Sequence, residues 1–207
     1  MNAIEKLTKI FSEFPGIGPR QARRFVYYLL TRNGSFLTNF VSLIGELKKE
    51  ISKCSVCQRY FPNDKSKSTE CPICRDEHRD SSILVIVARD VDLENIEKSH
   101  SFSGKYFVLG GTVPILEKNP EERIRQVELL KLVEKLCKNK IPLAEIVFAM
   151  NLTPDGEHTE EYLRDFLKPL QQEFSLKFST LGRGLSTGTE LEYSDSETIK
   201  NALKNRQ

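Results

Sequence analysis

Two Cys-x-x-Cys pairs, Cys54-Ser-Val-Cys57 and Cys71-Pro-Ile-Cys74, stand thirteen residues apart and constrain this chain's fold more than any other feature. Four thiolates satisfy the tetrahedral preference of zinc, and each short turn can offer two sulfurs to one ion. Two disulfides would use the same residues. However, no basic–apolar–small export signal precedes the first helix, so a cytoplasmic chain is expected, and disulfides are rare there. A redox Cys-x-x-Cys would leave the second, matched pair unexplained. The expectation is one structural zinc per chain, held by Cys54, Cys57, Cys71 and Cys74, with no position left for a reactive water. Residues 54–80, 27 in number, show no hydrophobic core of their own and are expected to need the ion to fold. Cys137 falls on the apolar side of a later helix and is expected as a buried thiol. His78, His100 and His158 are isolated and suit surface or packing roles.

The second constraint is FPGIGPRQARRF, residues 14–25, where two prolines and two glycines fall within five positions and three arginines follow. Pro15-Gly16-Ile17-Gly18-Pro19 cannot be helix interior, because glycine raises the entropy lost on folding and proline lacks the donor. Pro19 suits the first position of a new helix. The pattern predicts one helix over Ala3–Glu13, with Ile4, Leu7, Ile10 and Phe11 on one face, and a second over Pro19–Leu30. In the second, Ala22, Phe25, Val26 and Leu29 cluster, leaving Arg20, Arg24 and Tyr27 opposite. A third helix is expected over Phe36–Ile51, with Leu37, Phe40, Val41, Ile44, Leu47 and Ile51 turned inward.

Such a helix–hairpin–helix exposes N–H groups at the start of its second helix, where they and the helix dipole attract a phosphate. Gly16 and Gly18 let a DNA strand approach, Ile17 plugs the helix pair, and Arg20 and Arg24 bracket neighbouring phosphates. The same turn also serves elsewhere as a packing or dimer element, and the motif alone leaves that alternative open. Charge points the same way. Residues 1–53 hold nine Lys and Arg against four Asp and Glu, whereas residues 81–207 hold 17 against 20. A basic segment on a slightly acidic body suits a polyanion, although on charge alone solvated helix surface is the simpler account.

The rest of the chain alternates strand and helix. ILVIVAR (83–89) is an apolar, β-branched run of the kind buried on both faces of a sheet. Its apolar core, Ile83–Ala88, is far too short for a membrane span. A helix near Asp92–Lys98, a strand at KYFVLGG (105–111), a helix starting at Asn119 and Pro120, a strand at EIVFAMN (145–151), a helix capped by Thr159 and a strand at LKFSTL (176–181) follow. Ile124, Val127, Leu130, Val133 and Leu136 carry one stripe of the long helix, and Tyr162, Phe166, Leu167 and Leu170 that of the next. Alternation of this kind predicts a parallel sheet covered on both sides. After Gly184 come turn residues and a short helix started by Ser194 or Asp195.

The order of these parts resembles the RecR family of bacterial recombination mediators over roughly residues 3–203. FPGIGPRQARR, CSVCQRYF with CPIC, FSGKYFVLGG, NLTPDGEHTEEYL and RGLSTGTELEYSD each look like a family segment, in the right order. The resemblance implies a multi-part α+β and α/β chain: a helix–hairpin–helix domain at 1–53, a four-cysteine zinc element at 54–80, a topoisomerase–primase (Toprim) domain at 81–181, and a tail at 182–207 making an oligomer contact. Catalytic Toprim enzymes hold magnesium with a glutamate after the first strand and an Asp-x-Asp after the third. Here the matching positions look like Ala88, Asn151 and Thr153, and neutral groups do not hold a hard dication. Ala88 departs even from the family, which often keeps the glutamate. TVPILEKNP after Gly111 lacks the glycine-containing loop usual there.

What the family implies is a non-enzymatic protein that binds DNA irrespective of sequence, as a homo-oligomeric dimer or tetramer ring. It works with RecO and, in many bacteria, RecF to load RecA onto gapped DNA. No membrane role follows. The alternative is a metal-dependent Toprim enzyme acting on phosphodiesters, for which Asp90, Asp92 and Asp155 are the replacement carboxylates. A third reading has the zinc and the hairpin only stabilising an oligomer whose partner supplies the DNA affinity.

Overall fold

A computed structural model describes residues 1–63, 68–182 and 196–204 as a mixed α/β protein of two units, 1–52 and 53–207. The first unit is helical. Helix α1 (Ala3–Ser12) opens on a capping box, in which Asn2 Oδ1 accepts from the Glu5 N–H at 2.9 Å and Glu5 accepts from the Asn2 N–H at 3.0 Å. Helix α2 (Pro19–Leu30) has Gly18 at its N-cap and Pro19 in its first turn, as expected from that spacing. Helix α3 runs from Gly34 to Glu50, capped by Asn33, whose side chain accepts from the Phe36 N–H. It starts two residues earlier than Phe36, because Asn33 is the cap, and Ile51 has already turned extended.

Ala22 and Val26 are the only buried residues of α1–α3, and Phe11 meets Phe14 and Phe25 edge to face at 5.6 and 5.9 Å. The inward face expected for α3 is not buried. Val41, Ile44 and Leu47 are 68%, 53% and 60% exposed. Periodicity marks a stripe that gains by being covered, and three short helices present too little surface to cover it.

In the second unit, strands β3 (Asp80–Val87), β4 (Gly104–Val108), β5 (Glu145–Ala149) and β6 (Lys177–Thr180) form a parallel sheet in the order β4-β3-β5-β6. Strand β1 (Ile51–Lys53) leads into the cysteine-rich stretch, which holds strand β2 (Tyr60–Pro62) and helix α4 (Pro72–Arg75). Helices α5 (Asp90–Lys98), α6 (Gln126–Cys137) and α7 (Pro154–Phe174) join the sheet strands. Leu84, Ile86, Phe107, Ile146 and Phe148 pack on one face with Leu129 and Val133 of α6 and Leu163 and Leu167 of α7. The alternate residues Val85, Val87, Tyr106 and Val108 face the other way, onto Leu93 of α5 and onto Cys54, Cys57, Phe61, Cys71 and Ile73.

The cysteine-rich stretch is therefore half of the second core layer: Phe61 and Ile73, 3% and 8% exposed, pack against the sheet and not into a core of their own. Cys137 is buried, as expected.

Two further helix starts differ from the sequence pattern. Asn119 and Pro120 begin only a 3-10 turn, Pro120–Glu122, and α6 proper begins at Gln126. The break lies at Arg125, whose N–H is taken by the Leu109 carbonyl at 2.9 Å. Leu129, Leu132, Val133, Leu136 and Cys137 are the buried residues of α6, whereas Val127 is 52% exposed. Helix α7 is capped by Thr153, whose side chain accepts from the Gly156 N–H at 3.2 Å, with Pro154 in the first turn. Thr159 lies inside the helix, fully buried, and takes the Val113 N–H at 2.8 Å while donating to the Asp155 carbonyl. Tyr162 and Phe166 are only partly buried, and Leu163 takes the core position beside Leu167 and Leu170. Helix α8 spans Ser196–Lys204, and the expected start at Ser194 or Asp195 lies outside the described residues.

Candidate metal centre and nucleic-acid interface

The four cysteines converge. Their sulfurs all lie within 4.8 Å of one another, with Cys54–Cys74 at 3.8 Å and Cys57–Cys71 at 3.6 Å. A tetrahedral site with metal–sulfur bonds of about 2.3 Å has sulfur–sulfur edges of about 3.8 Å, so the spacing is that of ligands and far from a disulfide. Cys54, Cys57 and Cys71 are fully buried. The Cys71 N–H donates to Cys54 Sγ at 3.3 Å, a contact that favours the thiolate.

The cluster's electrostatics favour a cation at its centre. Hydrogen bonds from Cys57 first, then Cys71 and Cys74, hold the Cys54 thiol well below the usual range, while Cys54 above all pushes Cys57 well above it. Without a cation, four close sulfurs share protons unevenly; a divalent ion lets all four be thiolates. This group can hold a metal ion, and among the described residues no cluster of carboxylates or histidines does the same.

The sheet domain grips this element. The Val108 N–H, at the outer edge of β4, donates to the Cys57 carbonyl at 2.9 Å. Lys105 Nζ donates to the carbonyls of Ile73, Cys74 and Asp76 at 3.3, 3.2 and 2.7 Å, capping the end of α4. Arg125 Nη1 reaches the Gln58 and Val108 carbonyls at 2.8 and 3.2 Å. Gly110 beside it has φ +91°, and a Cβ there would stand 3.0 Å from the guanidinium. Sequence reasoning missed Lys105 and Arg125. Their partners are backbone carbonyls far along the chain; the one signal is the Gly110-Gly111 pair that clears room for a large side chain.

At the amino-terminal hairpin, Gly16 has φ +76°, which requires glycine, and Ile17 is half-buried. Gly18 differs: its φ is −80°, and a Cβ built there meets no atom within 4 Å. Arg20 and Arg24 are both exposed on α2, one turn apart. The first-turn amides of α2 have no intrahelical acceptor by construction.

The three positions expected to match the Toprim metal site follow two neighbouring strands. The order β4-β3-β5-β6 places the topological switch between β3 and β5, where ligands bind in open parallel sheets. Ala88 follows β3 and is fully buried; Asn151 and Thr153 follow β5 and are exposed. Thr153 serves as the α7 cap. Of the replacement carboxylates, Asp90 accepts from the Tyr60 N–H at 2.7 Å and Asp92 accepts from the Arg89 N–H at 3.0 Å as part of the α5 cap. No helix among the described residues is long and apolar enough to cross a membrane.

Comparison with known proteins agrees with this architecture. The Toprim domain family matches residues 82–179, and a second family, described as RecR, C-terminal, matches residues 184–207. "Recombination protein RecR" of Staphylococcus aureus (strain MRSA252) is 33% identical over 204 residues, covering 98% of this chain and 96% of that protein. The proteins of the same name from Ligilactobacillus salivarius (strain UCC118) and Limosilactobacillus reuteri (strain DSM 20016) are each 32% identical, over 99% and 98% of this chain and 96% and 95% of their own lengths. With a Toprim sheet, a four-cysteine centre and near full-length similarity at this level, the chain belongs to the RecR family of recombination proteins.

Proposed function

We propose that the chain is a non-enzymatic, sequence-independent DNA-binding mediator of recombinational repair, acting in the cytoplasm as a closed oligomer around DNA. It cooperates with RecO and, where present, RecF to load RecA onto gapped DNA. The observation that carries the reading is Gly18. Nothing among the described residues calls for glycine there, since its φ is ordinary, the space beside it is open, and Ser, Asp or Asn would cap α2 better. A smooth helix entrance is what a phosphate strand needs to reach the first-turn amides. Gly16, Gly18, Arg20 and Arg24 are the DNA-contacting residues in this reading.

Cys54, Cys57, Cys71 and Cys74 hold one zinc ion. With four protein ligands it supplies no open coordination position and acts by fixing the two knuckles against the sheet. Ala88, Asn151 and Thr153 leave the switch point without a carboxylate cluster, and this supports a role without phosphodiester chemistry.

The test is DNA binding by the full chain across a salt series. Arg20→Ala and Arg24→Ala should weaken binding equally on unrelated sequences, and each should lower the slope of log K against log salt by about one. Unchanged affinity and slope in folded, zinc-loaded variants would give the hairpin back to packing.

A further inference from the structure

We propose that the outward face of α2 is a stacking platform for single-stranded DNA, with Tyr27 and Tyr28 taking unpaired bases between arginines that hold the backbone. The proposal deepens, and rests on, the DNA-binding reading above. At about 100° per residue the outward arc of α2 runs Arg23, Tyr27, Arg20, Arg24, Tyr28, so cations and aromatic rings interleave over about 140° of the helix. Tyr27 and Tyr28 are 53% and 50% exposed, which large aromatic side chains on a polar face do not need for folding. Arg32 stacks on the Tyr28 ring, 4.1 Å from its centroid, and Arg24 and Tyr28 line a shallow groove with Gln21 and Phe25.

The charge selects the occupant. Residues 14–45 contain four arginines and no Asp or Glu. A duplex binder needs only the cations, because paired bases offer no face to a side chain. Exposed rings add affinity where bases are unstacked, and a planar guanidinium continues the stack. An aromatic, arginine-rich, acid-free helix face thus fits single strands better than duplex.

The experiment measures binding of the full, zinc-loaded chain to a labelled single-stranded oligonucleotide and to a duplex of the same length. Tyr27→Ala and Tyr28→Ala should each weaken single-strand binding at least fivefold, with duplex binding changed less than twofold and the salt slope unaltered, since no phosphate contact is lost. Tyr27→Phe and Tyr28→Phe keep the ring and should keep the affinity. The chain has no tryptophan, so quenching of tyrosine emission by single strands, lost in the alanine variants, reports the stacking directly. Equal losses on both DNAs, or undiminished single-strand binding by the folded alanine variants, would overturn the platform. If Arg20→Ala and Arg24→Ala still weaken both DNAs in that case, the DNA interface stands and only the stacking falls. If the arginine variants also change nothing, the DNA reading itself falls.

Discussion

Arg125 Nη1 donates to the carbonyl of Gln58 at 2.8 Å, bridging 67 residues of sequence and tying the first cysteine knuckle to the end of β4. Gln58 has φ 64°, so the knuckle turns left-handed at the point where the guanidinium catches it. The same nitrogen reaches the Val108 carbonyl, and the Val108 N–H reaches Cys57. Metal element and sheet thus share one hydrogen-bonded seam as well as one apolar layer.

Arg125→Ala should remove the side-chain half of this seam and take the guanidinium donor from the Gln58 and Val108 carbonyls. Charge-assisted hydrogen bonds contribute about 1.5–3 kcal/mol each, and the pair is not additive, so a loss of about 3 kcal/mol is expected. Arg125→Lys should recover only part of it, since an ammonium lacks the fork that spans two acceptors. Denaturant midpoints at constant m-value decide; a midpoint within error of the parent would show the seam to be incidental.

Much of this was legible beforehand, and the gaps share a cause. The cysteines identify themselves because spacing alone brings each pair to one ion. Helix α2 was bounded correctly by Gly18 and Pro19, which act locally. Thr159 imitates a cap because Glu160 and Glu161 follow it, whereas Pro154 just after Thr153 is the local sign of the true α7 start, and Thr159 is spent on the Val113 N–H. Arg125 and Lys105 were invisible because carbonyl acceptors have no sequence signature. The α3 stripe was seen, but a pattern cannot show whether its cover is in the same chain.

Metal removal should unsettle more than residues 54–80. Phe61 and Ile73 pack with Val85, Val87 and Tyr106, so releasing the knuckles exposes a face of the sheet. Purified protein should carry close to one zinc per chain. Cys54→Ser and Cys71→Ser should lose it and melt at lower temperature with broadened transitions, while Cys137→Ser, buried in the opposite layer, keeps the metal. Metal content by atomic absorption alongside thermal unfolding tests this. Full zinc in Cys54→Ser would be incompatible with the four-ligand site.

Arg79 and Glu97 set an acid-side dependence. Burial pushes the Glu97 carboxyl up more than any single neighbour lowers it, but hydrogen bonds from Arg79, at 2.9 and 2.5 Å, the Tyr106 hydroxyl and the charges of Arg79 and Arg59 together outweigh it and leave the carboxyl below its usual value of 4.5. A carboxyl lowered in the folded state stabilises fully above its unfolded value and loses that contribution as pH falls through the folded one. Glu97→Gln should therefore lower stability by about 1–2 kcal/mol between pH 6 and 8, with the difference shrinking below about pH 4.5. Urea unfolding of both proteins across that range gives the comparison, and a gap independent of pH would assign the loss to packing.

The last prediction concerns what covers α3. Val41, Leu43, Ile44 and Leu47 are each more than half exposed, an apolar strip that the described residues leave open. Such strips mark association surfaces, and helical units this small bury enough surface only by pairing. If the protein works as a closed oligomer, several weak basic faces act on one DNA molecule, and affinity comes from linkage without any new contact. Ile44→Glu and Leu47→Glu should shift light scattering from oligomer toward monomer, leave zinc content unchanged, and weaken DNA binding at least tenfold although neither residue lies on α2. A parent protein that is monomeric at micromolar concentration and still binds DNA tightly would remove the clamp, and an Ile44→Glu protein that stays oligomeric would move the interface elsewhere.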